Sequence, residues 1–197
     1  MTDGRLYHIK SLNVCAEKEK EELTEALVKA AGAAFRSLQE TTKEHFYYYV
    51  LAFDEGLHPY ISAWSDEALE KSVVEQQITE DEKRWWKWDC SDSPYAVYGY
   101  DDFFGEVSEL LDKQESLLSD EELYGIEWDM RVDVLEEAMK RLDGSGLFGT
   151  KEERKNVVIN VELAPPDGSE YNRALRLNPP SALLSAYLET CEEPEMG

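Results

Sequence analysis

The chain has 197 residues, with 43 Asp and Glu against 20 Lys and Arg, a formal net charge of −23. Between Ser65 and Glu137 stand 23 acids and 6 bases, so that stretch holds 17 of the 23 net negative charges. Such a surplus argues against nucleic acid or an anionic membrane as partner and favours a basic protein.

Leu23, Ala26, Leu27, Ala30, Ala31, Ala34, Phe35 and Leu38 recur at three- and four-residue steps. They predict an amphipathic helix whose Ala-rich stripe lies close against a sheet, with Glu22, Glu25, Lys29 and Arg36 on its opposite face. The segment from His45 to Phe53 is aromatic or aliphatic on both alternating faces, as a central strand covered on both sides would be. Asp54-Glu55-Gly56 supplies a turn, and Pro59 to Trp64 reads as the returning strand of a hairpin. Ser65, followed by Asp66 and Glu67, caps a helix reaching about Ile78. Lys83 to Asp89 reads as loop or short strand.

Asp101 or Asp102 caps a helix on Phe103, Val107, Leu110 and Leu111. Ser119 to Glu122 forms a capping box for another, which buries Leu123, Ile126, Met130, Val134, Ala138 and Leu142 and ends at Gly144. Thr150 and Glu153 make a second capping box over one short turn. Asn156 to Leu163 is a strand with Val157, Ile159, Val161 and Leu163 on one face. Val158, Asn160 and Glu162 occupy the other face, which places this strand nearer an edge. Pro165 to Gly168 turns the chain, and Asn178 with two prolines starts a last helix on Leu183, Leu184, Tyr187 and Leu188. This order predicts an α+β fold, a small, mainly antiparallel sheet packed against several helices. A single domain, 1–197, is expected, with loose ends at about 1–4 and 192–197.

The chain carries no signal-peptide pattern, and its longest apolar run, Phe46 to Phe53, is far short of the ~20 residues a membrane helix needs. Cys15, Cys90 and Cys191 suggest neither a disulfide framework nor a zinc site, so a reduced, cytoplasmic protein is expected. Gly144-Ser145-Gly146 lacks the spacing of a nucleophile elbow. His8, His45 and His58 include no helical metal-ligand pair, and His58 reads as a surface or packing residue. The sequence therefore points to no catalytic residue, metal site or cofactor.

Two constellations remain. Asp129, Asp133 and Glu137 share one helix face, and Asp102, Glu106 and Glu109 share another. Glu106, Glu109, Asp129, Asp133 and Glu137 are the candidate contact for a basic partner, while acidity that only keeps the protein soluble stays an open alternative. Trp85, Trp86, Trp88, Tyr95, Tyr98 and Tyr100 either belong to the core or line a pocket, for which Trp64, Trp88 and Asp89 are the candidates.

Glu44 to Ala52, Pro59-Tyr60-Ile61, Ser65-Asp66-Glu67 and Leu69 resemble the opening of the bacterial domain-of-unknown-function 4303 family. Arg84 to Asp89 is similar to its Trp-bearing middle, and Leu177-Asn178-Pro179 to its ending. Leu142 to Gly149, with Arg154 and the Val157 to Val161 strand, resembles its most recognisable block. In that block Gly144 suits a left-handed conformation, Gly146 and Gly149 permit tight turns, Leu147 and Phe148 pin the loop, and Arg154 is placed to pair with Asp143 or another acid. The resemblance spans about Leu23 to Leu188 and implies no activity. By analogy of size, charge and fold, small acidic bacterial proteins of this kind look like immunity proteins of contact-dependent toxin systems.

The expected function is thus a non-enzymatic acidic binding protein, of the immunity type or binding another basic partner. The alternative is a carboxylate-dependent, hydrolase-like enzyme with a Trp-lined pocket, in which one of Asp54, Asp89 and Asp101 is buried near Trp64 or Trp88.

Overall fold

A strand that is apolar on both faces must be covered twice, and this requirement organises the protein. The computed structural model describes residues 3–54, 58–115, 128–164, 166 and 168–191, with side chains described from residue 17 onward except at 54, 114 and 115. In chain order the elements are α1 (Asp3–Thr42), β1 (Phe46–Asp54), β2 (Pro59–Ser65), α2 (Asp66–Gln76), α3 (Glu80–Trp86), α4 (Tyr100–Phe103) and α5 (Gly105–Glu115). They are followed by α6 (Trp128–Gly144), a 3-10 turn (Glu153–Asn156), β3 (Val158–Ala164), α7 (Glu170–Leu177) and α8 (Ala182–Cys191). The sheet order is β2-β1-β3, so the predicted central strand is central and the predicted edge strand is at an edge. β2 pairs antiparallel with β1, and β3, arriving after the long helical segment, pairs parallel to it. The fold is α+β.

Tyr49, Leu51 and Phe53 of β1 join Ile61, Ala63, Ile159, Val161 and Leu163 in a core against α1, α5 and α6. All eight apolar positions of the predicted N-terminal helix are buried there. The helices approach closely at Gly32 of α1, where a Cβ would stand 2.9 Å from the Leu142 side chain. Tyr48, Val50 and Ala52 point the other way, into a second core with Trp64, Leu69, Trp88, Ala174, Leu184 and Tyr187.

Ser65 caps α2 as predicted, its Oγ accepting from the Ala68 N–H. Lys83 to Asp89 is neither loop nor strand throughout. Thr79 and Glu82 form a capping box that opens α3, and the helix runs to Trp86 before the chain turns. Neither Asp101 nor Asp102 is a cap. Left-handed Gly99 precedes α4, both acids lie in its first turn, and the expected single helix is broken at Phe104. The Ser119 capping box lies outside the described residues, as do 55–57 of the hairpin turn and 165 and 167 of the later turn. α7 was not read from the sequence.

Gly144 is the last residue of α6 and is not left-handed; Gly146 is, with φ +82°. The Leu147 N–H reaches the Leu142 carbonyl and the Gly146 N–H that of Asp143, the paired bonds of a Schellman stop. Phe148 then inserts against Phe35 and Tyr49, and Gly149 (φ +96°) turns the chain away. Arg154 is buried and pairs with Asp143 as expected, Nε to Oδ1 at 2.5 Å. Its other nitrogens donate to the carbonyls of Val157 and Leu177 and to Asn178 Oδ1. Asn178 in turn accepts from the Ile159 N–H and donates to the Ile159 carbonyl, and Arg173 donates to the Val161 carbonyl.

Replacing Arg154 by Met should strand Asp143 and take a donor from the Val157 and Leu177 carbonyls, lowering unfolding free energy by about 3 kcal/mol or more. Urea denaturation checks this, with Arg36→Met, on an exposed position of α1, expected to change stability by less than about 0.5 kcal/mol.

Candidate functional site

The acidic constellation lies over one face of the sheet, whereas the aromatic one is split: Trp86 and Trp88 join the core of the opposite face, Tyr98 and Tyr100 the core beneath the acidic helices, and Tyr95 packs against both. On the first face, α1 packs against both α5 and α6 and carries cations to each. Lys29 Nζ stands 2.6 Å from Glu106 and Lys20 Nζ 3.0 Å from Asp133. Arg141 holds Glu137 at 2.9 Å and grips Glu21 with both terminal nitrogens, a contact that lowers the Glu21 carboxyl below its ordinary range. Three of the five candidate contact acids are therefore ion-paired within the chain. Glu109 and Asp129 are exposed and pair with no cation among the described residues, and Glu22 and Glu25 on α1 are likewise exposed and unpaired. Glu136 is different: Arg176 and Lys140 hold it, and its carboxyl is lowered to about 2.

On the second face Trp88 is the centre. Its ring packs edge-on against Tyr47, Tyr48 and Tyr187, and it is 6% exposed. Trp64 is wholly buried, its indole N–H donating to the Asp89 carbonyl at 2.6 Å, so it belongs to the core rather than to a pocket. Asp89 is exposed, and its carboxylate accepts from the N–H groups of Ser91 and Asp92, which makes it a turn former. Asp101 is exposed too, and the Asp54 side chain lies outside the described residues. Of the three pocket candidates Trp88 lines a cleft of about 580 Å³, bordered also by Tyr47, Asp66, Leu69, Glu70, Lys83, Lys87, Asn156 and Leu183. Trp85 is 45% exposed and stacks with Arg84, and Tyr95 donates to Glu44.

Behind Trp88 sits a half-buried acid that the sequence reading passed over. Glu162 projects from β3 into the second core, where Tyr48 and Tyr187 donate to its Oε1 at 2.6 and 2.5 Å and Asn160 at 3.2 Å. Burial raises its carboxyl above the ordinary value of 4.5, against the lowering effect of the tyrosines and Arg173. The signal was present: Asn160 and Glu162 share the strand face whose β1 neighbours, Val50 and Ala52, need cover. Cys90 and Cys191 lie nearby, and burial pushes their thiols up to about 12 and about 11, which keeps both protonated and unreactive at neutral pH. Among the described residues no group of three or more His, Cys, Asp or Glu side chains is arranged to hold a metal ion, and no helix is long and apolar enough to cross a membrane.

A family model described as Domain of unknown function (DUF4303) matches residues 23–179. No curated protein and no solved structure matches the chain.

Because the folded-state carboxyl of Glu162 is raised, its contribution to stability is complete below pH 4.5 and is lost as pH climbs through the folded value. The Glu162→Gln variant, which still accepts from both tyrosines, should match the parent in acid and become progressively the more stable of the two towards pH about 8. Urea unfolding from pH about 4 to about 8 measures the difference.

Proposed function

Since the chain belongs to the family described as Domain of unknown function (DUF4303), we propose from its own geometry that it is a non-enzymatic binding protein whose partner is a basic protein, in the manner of an immunity protein covering a cationic toxin domain. The contact surface is the outer side of α1, α5 and α6. One observation carries the reading: on that surface carboxylates remain in excess after the chain's own cations have paired. Among the described residues Glu22, Glu25, Glu109 and Asp129 have no internal cation, and those of Glu106 and Asp133 are lysines on exposed pairs.

Exposed ion pairs contribute about 0–1 kcal/mol, so an incoming Arg or Lys can replace Lys20 or Lys29 at little cost. The dense negative field would draw such a partner in and reject acidic competitors. Glu162 does not favour the enzymatic alternative, because its hydrogen bonds tie β3 to β1 and α8.

The test is a variant with Glu22, Glu25, Glu109 and Asp129 changed to Lys, compared with the parent in pull-downs from the source organism. The parent should retain a strongly basic protein that the variant loses. With that protein purified, its association rate should fall about tenfold or more between about 50 and about 500 mM salt. A partner indifferent to both changes would exclude this surface.

A further inference from the structure

We propose that the cleft between α2, α3 and α8 binds a small aromatic zwitterion, its anionic group held by Lys83 and Lys87 and its cationic group by Asp66 and Glu70. The cleft lies on the face of the sheet opposite the acidic surface, so this inference is independent of the protein partner.

Its floor is aromatic. Tyr47 and Trp88 are 8% and 6% exposed, and both line the cleft. The Tyr47 hydroxyl is tied to the Lys87 carbonyl at 2.9 Å, and Trp88 is braced edge-on by Tyr48 and Tyr187. The rings are thus fixed in position before any ligand arrives. Leu69 and Leu183 add apolar walls, and the volume of about 580 Å³ lies within the usual range for small-molecule sites.

The charges divide by rim. Lys83 and Lys87 are one helical turn apart on α3 and its C-terminal cap, with Arg84 between them in sequence. Like charges at this spacing destabilise a helix, and in a chain with 43 acids a pairing carboxylate would be easy to supply. Among the described residues neither lysine has one within ion-pair distance; Lys87 instead holds its ammonium 4.9 Å from the Trp88 ring centroid. Burial, then the neighbouring Arg84 and Lys83 charges, lower the Lys87 pKa against an opposing pull from Glu189. Asp66 and Glu70 border the same cleft from α2, and neither reaches the lysines. Two cations and two anions facing one aromatic floor without pairing match a ligand that carries both charges on a flat apolar body.

The probes are L-tryptophan, its anionic N-acetyl derivative and its cationic amide, titrated by calorimetry into the intact chain. L-tryptophan should bind saturably, and each analogue about fivefold or more weakly. The Lys83→Met/Lys87→Met variant should lose about tenfold or more in affinity, Glu70→Gln should lose affinity for the parent compound but not for its N-acetyl form, and Lys18→Met on α1 should change nothing. In nitrogen-15 NMR the indole signal assigned by Trp88→Phe should shift on titration, and unchanged melting temperatures of the lysine variants separate lost binding from lost folding. No saturation by about 10 mM, an analogue equal to the parent compound, or a folded double-lysine variant with unchanged affinity would each overturn the proposal.

Discussion

The two-sided burial of β1 is the constraint from which the rest follows. A three-stranded sheet has two faces and two edges, and each must be closed without further strands. The faces are closed by helices, α1, α5 and α6 on one side and α2, α7 and α8 on the other. The edges are closed by side chains and loops. Asn178 and Arg173 occupy the outward backbone groups of β3 at Ile159 and Val161. On β2 the Val97 N–H takes the Ile61 carbonyl, and the Ser93 hydroxyl donates to that of Ala63. Each such group left buried and unpaired would cost about 1–3 kcal/mol, which makes these polar contacts as necessary as the apolar packing.

This division explains what could be read from the sequence. α1, the hairpin, the edge position of β3 and the Arg154–Asp143 pair follow from periodicity and from glycine placement, because local pattern and tertiary role agree there. α7 escaped because its buried side includes Arg173, a residue that periodicity counts as solvent-facing, yet it is 1% exposed and bonded to β3. α3 was obscured by Trp85, Trp86 and Trp88, whose bulk suggests strand, while the Thr79–Glu82 box that starts it lies farther upstream. Glu162 was passed over for the same reason as Arg173. An ionisable residue on an edge strand reads as solvated until the tyrosines that receive it, 114 and 25 positions away, are placed beside it.

The candidate site was legible to a different degree on each face. Composition located the acidic stretch but not its internal pairing, since Lys20 and Asp133 lie 113 positions apart and Lys29 and Glu106 lie 77 apart. Trp64, Trp88 and Asp89 are neighbours in space, as their selection implied, but they do different work. Trp64 and Asp89 join through an indole N–H and a carbonyl that fix the loop to β2, and Trp88 borders the cleft. Aromatic content alone does not separate a core ring from a cleft ring; the residue beyond it does, and beyond Trp88 stands Lys87.

A net charge of −23 does not make every part of the surface negative. At physiological ionic strength the field of an exposed charge is screened over about 8 Å, so the potential within a cleft is set by the residues that border it. Along the rim that carries Lys83 and Lys87, Arg84 adds a third positive charge, engaged with Glu189 only at 3.5 Å and outside the cleft's lining. The proposed basic partner and the proposed small ligand would therefore meet different fields, an anionic helical face for the one and, across the sheet, a cleft bordered by both signs of charge for the other. The sheet itself keeps the two apart, because β1 from Tyr48 onward gives alternate side chains to opposite sides: Tyr48, Val50 and Ala52 to the core of the cleft, Tyr49, Leu51 and Phe53 to the core beneath the acidic helices.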